Sequence, residues 1–169
     1  MKLKALLLLG AAVAALSAPL ASFAQSDGAI LTVSGRIGRT NSADHKSYVF
    51  SFAELQKLGD TEITSTTRYV GTAKFTGARI RDILTAVKAP ADATAVSVVA
   101  IDGYQQTIPI ADFAKWDVIL AHTQNGKRLT VESKGPLWIM YPTDKYPGQL
   151  LNDETTSKLV WALTGLVVK

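Results

Sequence analysis

The side chains able to do chemistry are few. His45 and His122 are the only histidines, and neither has a second ligand at a metal-binding spacing. No Gly-x-Ser-x-Gly elbow is present to present a serine nucleophile. Glycine-rich phosphate loops and dinucleotide fingerprints are absent as well. Asp102, in Asp102-Gly103, reads as a turn former. Arg68 beside Tyr69, and Arg79 with Arg81, offer guanidinium forks for an anion, or plain solvated faces of a strand and a helix. The densest feature is GPLWIMYPTDKYPG (135–148), which sets Trp138, Tyr141 and Tyr146 among prolines. Such a stretch fills a core corner or walls a pocket for a flat heterocycle. Trp138 and Tyr141 are an odd number apart, so a regular strand points one to the core and the other to a cleft.

Cysteine is missing altogether. Disulfides, thiolate metal ligands, a cysteine nucleophile and a lipidated N-terminal cysteine are therefore excluded together. The chain opens with Lys2 and Lys4, an apolar run over 5–16, and small residues ending at Ala24. This is the order of a secretory signal (1–24) cleaved after Ala24, and it predicts a periplasmic domain over 25–169. Without Lys2 and Lys4 the 18 basic residues become 16 against 14 acidic ones, and the net charge of +4 falls to +2. Lysine and arginine form no stripe, so nucleic acid is not an expected partner.

The elements that must position these residues follow from pattern. Strands are predicted over 30–37, 48–50, 63–69, 94–101, 104–108, 118–122, 137–141 and 159–168. Ser51-Phe-Ala-Glu54 is a capping box opening a short helix. Residues 74–77 are expected to turn into a helix carrying Ile80, Ile83, Leu84 and Val87, and a short helix or turn follows Pro109. Asp102-Gly103 and Asn125-Gly126 mark hairpins. The class is α+β, a single domain of mixed, mostly antiparallel sheet with short helices.

The order of motifs is more telling than any one of them. It runs from a V-x-G strand through an F-x-x-L helix to a threonine-rich strand. Then come F-x-G (Phe75, Gly77) with Leu84, Asp102-Gly-Tyr104, Ile119-Leu-Ala121 with Asn125-Gly126, Gly135-Pro-Leu137 with Pro142, and Trp161 before the end. This order resembles the molybdopterin-binding domain of the sulfite oxidase superfamily over essentially all of 25–169.

The resemblance implies a cofactor cleft, and the departures alter what fills it. Catalytic relatives carry a molybdenum-binding cysteine where this chain reads ITSTTR (63–68), and an arginine for the cofactor phosphate where it has Trp138. Hydroxyls cannot replace a soft thiolate. The Gly-Pro-Leu-Trp-x-x-Tyr-Pro pattern is similar to a small branch of periplasmic, non-catalytic pterin-binding proteins that work with membrane-bound regulators of cyclic di-GMP. That likeness implies a free pterin as ligand, no molybdenum, and the periplasmic part of a membrane-bound signalling protein as partner. The expected ligand contacts are Trp138, Tyr141 and Asp144, with Tyr104, Arg68 and Thr67 added by topology. Two alternatives remain. One is a molybdopterin-dependent oxidoreductase using an oxygen ligand from Thr66 or Thr67; the other is an interaction domain with a vestigial cleft.

Overall fold

The computed structural model describes residues 28–169, so the predicted signal segment and its cleavage site lie outside the described residues. The first elements are set by local chemistry. Alternation in Ala29–Gly35 makes strand β1, with Leu31 and Val33 buried, and Ser47–Ser51 returns as β2. Ser51 then caps helix α1 (Phe52–Lys57) in a reciprocal box: its hydroxyl accepts from the Glu54 amide, and Glu54 accepts from the Ser51 amide.

This box carries a pH signature. The Ser51 amide bond, with the serine hydroxyl, holds the Glu54 carboxyl below its ordinary value of 4.5. A depressed carboxylate stabilises the fold above that value, and the contribution is lost as pH falls through the lowered folded-state pKa. Ser51→Ala is expected to cost about 1 kcal/mol at neutral pH. Urea titrations at neutral and strongly acidic pH should show this cost shrinking in acid.

Strand β3 (Asp60–Thr67) pairs with β4 (Gly71–Arg79), and helix α2 (Ile80–Ala86) follows directly. The expected helix start at 74–77 is thus corrected: those residues are strand. Ala73 and Phe75 point inward and Thr72 and Lys74 outward, and β4 is hydrogen-bonded on both sides, by β3 and by β7 (Ile119–Gln124). Gly77 sits at a register shift against β7, where a Cβ would lie 2.0 Å from the Leu120 carbonyl oxygen.

Strand β5 (Ala95–Ala100) and β6 (Gln105–Pro109) form the Asp102-Gly103 hairpin. The short helix predicted after Pro109 is α3 (Ile110–Lys115). Asn125-Gly126 turns β7 into the two-residue β8 (Lys127–Arg128), and β9 (Trp138–Met140) pairs with the other end of β7. Helix α4 (Pro147–Leu150) follows, and α5 (Asp153–Lys158), capped by Asn152, comes next. The last strand, β10 (Leu163–Val168), starts four residues later than its sequence suggests.

Two five-stranded sheets result, ordered β2-β1-β10-β5-β6 and β3-β4-β7-β8, with β9 attached to β7. Among the described residues only β1 and β10 run parallel. Inward faces of both sheets share one apolar core, including Leu31, Phe75, Ile83, Val98, Trp138 and Leu166. Among the described residues no helix is long and apolar enough to cross a membrane.

Candidate functional site

A cleft of about 360 Å³ opens where the ends of both sheets meet α5. The turn after β3 brings Arg68 and Tyr69, and the β5–β6 hairpin brings Asp102 and Tyr104. Helix α5 supplies Thr156 and Ser157, and the run into β10 supplies Leu159, Val160 and Trp161. Trp161 remains 38% exposed and Tyr104 52% exposed, so two large rings stand open to a ligand.

The wall behind them is aromatic. Tyr69 meets Trp161 edge-on at 4.8 Å between centroids, and Trp138 lies one layer deeper, 6.3 Å from Trp161. Lys134, in a left-handed backbone conformation, holds its ammonium 4.7 Å from the Trp161 ring. Its carbonyl accepts from the Ala162 amide, which ties the lysine to the tryptophan's own segment. Arg68 lies 5.2 Å from the Tyr69 ring centre and donates to its hydroxyl at 3.2 Å. A flat ligand entering here meets an indole, a phenol and the Arg68 cation, a set suited to a heterocycle carrying an anionic group.

Polar groups of the floor are partly engaged. The Ser157 and Thr156 hydroxyls donate back into their helix, to the carbonyls of Glu154 and Asn152. Each hydroxyl oxygen keeps its acceptor lone pairs. Asp102 accepts from the Tyr104 amide at 2.9 Å, which fixes the hairpin tip as the turn reading anticipates.

Helix α5 is anchored from behind. Lys158 donates to Asp112 at 2.9 Å and to Glu154 at 2.7 Å, and the Tyr141 hydroxyl donates to the same Asp112 oxygen at 2.8 Å. Burial pushes the Lys158 ammonium down, but its bonds to Glu154 and Asp112 outweigh that and raise it overall. Burial first, then the Asp112 charge, drives the Tyr141 phenol far above its usual range. Lys158→Met is expected to cost about 2 kcal/mol at neutral pH. A raised lysine pKa gives stability that is full below its ordinary 10.5 and fades as pH climbs through the folded value, so melts in alkali should narrow the gap.

Of the six expected contact residues, Arg68 and Tyr104 line the cleft. Trp138 does not, which corrects the expectation that it forms the wall. It has no exposed surface, Phe75 covers it edge-on at 5.5 Å, and its indole N–H donates to the Leu159 carbonyl. Tyr141 is corrected likewise, being buried with its hydroxyl on Asp112. The odd spacing fails to separate the two because both faces of β9 are buried, Trp138, Ile139 and Met140 alike, and the strand ends before Tyr141. Thr67 is buried and its hydroxyl oxygen accepts from the Tyr69 and Val70 amides, capping the turn that carries Arg68. Asp144 lies in a separate trough, accepting from the Thr66 hydroxyl. The residue that replaces Trp138 at the wall is Trp161, whose signal was an indole just ahead of the final strand.

Residues 40–145 match the oxidoreductase molybdopterin binding domain, and the chain belongs to that family. Among solved structures it is similar to the sulfane dehydrogenase SoxCD from Paracoccus pantotrophus, with a TM-score of 0.62 and 15% identity. The match covers 82% of this chain and 37% of that one, so the chain spans little more than a third of that structure's length, and the likeness is one of fold. No curated protein matches the sequence.

The donor set does not fit a molybdenum centre of the thiolate-ligated kind. No cysteine exists, and among the described residues no group of three metal-ligating side chains gathers. The Thr66 hydroxyl is bonded to Asp144 and Thr72, and the Thr67 oxygen to two amides, so neither stands free as an oxygen ligand. Arg68, which lines the cleft, is the guanidinium there that suits an anionic ligand group.

Proposed function

We propose that this molybdopterin-binding, oxidoreductase-like domain is non-catalytic and periplasmic, and binds a free pterin in the Trp161 cleft. The observation that carries this reading is the pairing of an open indole–phenol wall with a chain that offers no thiolate. The pterin ring lies against Trp161 and Tyr69, a contact adding about 0.5–1.5 kcal/mol beyond buried area. Arg68 takes its anionic or carbonyl edge, and the α5 hydroxyls accept from its amino group.

Occupancy is relayed to the periplasmic part of a membrane-bound cyclic di-GMP regulator. Such a relay requires the partner to bind the loaded and empty forms with different affinity. Supporting this reading, the exposed Tyr104 and Trp161 stand at the cleft mouth, where a ligand alters the surface a partner meets.

Titration of the purified protein with neopterin-type pterins, followed by tryptophan fluorescence, tests the binding step. Saturable quenching is expected, and Trp161→Ala abolishes it while retaining a cooperative melt. Absence of binding at high micromolar pterin overturns the proposal. The family match favours one competing reading, an enzyme retaining molybdopterin. Stoichiometric molybdenum in protein purified from a host that makes the cofactor would establish that reading instead.

A further inference from the structure

Among the described residues strand β3 is an edge strand, paired only with β4. The Thr66 amide donates to the Thr143 hydroxyl at 2.8 Å, and that hydroxyl donates to the Thr66 carbonyl at 3.1 Å, so the backbone groups of Thr66 face away from β4. Alternation in an antiparallel ladder turns the N–H and C=O of Glu62 and Thr64 the same way. No strand among the described residues pairs with them on that side.

These groups form one wall of a trough of about 470 Å³, whose opposite side carries Asp117, Asp144 and Lys145, with Arg79 beside them. Charge in the trough is unbalanced. Asp117 alone serves Arg81 at 3.0 Å, Arg79 at 3.4 Å and Lys145 at 3.9 Å. Arg79 Nε is shielded from solvent yet has no hydrogen-bond partner, and Lys145 lies beyond hydrogen-bond reach of its carboxylate. Glu62 is neutralised by Lys74 at 2.9 Å, whereas Asp144 accepts from the neutral Thr66 hydroxyl and keeps its charge. Arg79, Arg81 and Lys145 thus face Asp117 and Asp144, one carboxylate short. Donors along an open edge therefore adjoin cations short of an anion.

We propose that this trough docks an extended, acidic segment of a partner protein, added as a strand beside β3 with a carboxylate on Arg79 and Lys145. Backbone pairing with Glu62 and Thr64 supplies affinity, and the cation pair selects the segment by charge. A second copy of β3 is a poorer occupant, because it gathers Asp60 and Glu62 of both chains into one ribbon of four carboxylates.

The test uses fluorescence polarisation with a short fluorescein-labelled peptide of alternating valine and threonine ending in glutamate, and a twin ending in lysine. The acidic peptide should bind at least about tenfold more tightly, and N-methylation at alternate residues should abolish binding. Thr64→Pro removes only an outward N–H, which an edge strand tolerates, and should weaken binding at least about tenfold with an unchanged circular dichroism spectrum. Arg79→Gln with Lys145→Gln should erase the preference for glutamate. Equal binding of the two peptides, undiminished binding of the N-methylated one, or no saturable binding overturns the proposal. So does sedimentation of the protein as a dimer that Thr64→Pro dissociates. The N-methylated peptide decides the matter even where a protein variant folds poorly.

Discussion

Replacing Trp138 with alanine is expected to lower stability by about 3–5 kcal/mol, the range for emptying a fully buried large aromatic site. The ring touches Phe75, Tyr69 and Trp161 and lies in the core with no exposed surface, so no solvent can refill the space as cheaply as at the surface. Its N–H also leaves the Leu159 carbonyl without a donor. Since Leu159 begins the run to Trp161, the cleft wall should loosen with the core. Trp161→Ala removes a ring that is 38% exposed and should cost only about 1 kcal/mol, while removing ligand quenching. Urea midpoints of the two variants separate these roles: a Trp138→Ala midpoint equal to wild type would contradict the core assignment.

Gly77→Ala should be nearly as damaging, with an expected loss of about 3 kcal/mol or more. The new methyl carbon would fall 2.0 Å from the Leu120 carbonyl oxygen and 2.7 Å from Ala121 Cα, both backbone atoms of β7. Relief requires moving β7 away from β4, which breaks ladder bonds in the centre of the sheet. Gly148→Ala is the control, because nothing lies within 4 Å of a Cβ there and the residue is helical. Thermal melts should show the control unchanged or slightly higher, since alanine is the better helix former by up to about 1 kcal/mol. A normal melt for Gly77→Ala would mean that the β4–β7 contact is looser than described.

Elements governed by neighbours in sequence were legible. The Ser51–Glu54 box, the Asp102-Gly103 and Asn125-Gly126 turns and the alternation of β1 all fell where their local chemistry put them. Residues 74–77 misled because Lys74, Thr76 and the apolar spacing after Gly77 are compatible with a helix. Only pairing with strands on both sides, one of them more than forty residues away, makes them extended. The same limit explains the exchange of tryptophans. Spacing told that Trp138 and Tyr141 could diverge, but burial of both was decided by Leu159 and Asp112, partners 21 and 29 residues distant. Arg68 and Tyr104 were placed in the cleft by topology, which is set by the motif order along the whole chain. Helix α5 carried a readable start, Asn152 followed by Asp153 and Glu154, that the strand prediction nearby obscured.

The parallel pairing of β1 with β10 has a temporal side. β10 occupies the middle of its sheet, between β1 and β5, yet it follows every other strand in chain order. Until it pairs, the β1–β2 and β5–β6 hairpins have no shared ladder and each exposes an apolar face, a state of little independent stability. Completion of the sheet thus waits on contacts between β1 and β10, strands far apart in sequence, whose pairing forms slowly. The sheet stays open until β10 is available, and a chain lacking β10 has two disconnected hairpins in place of a sheet.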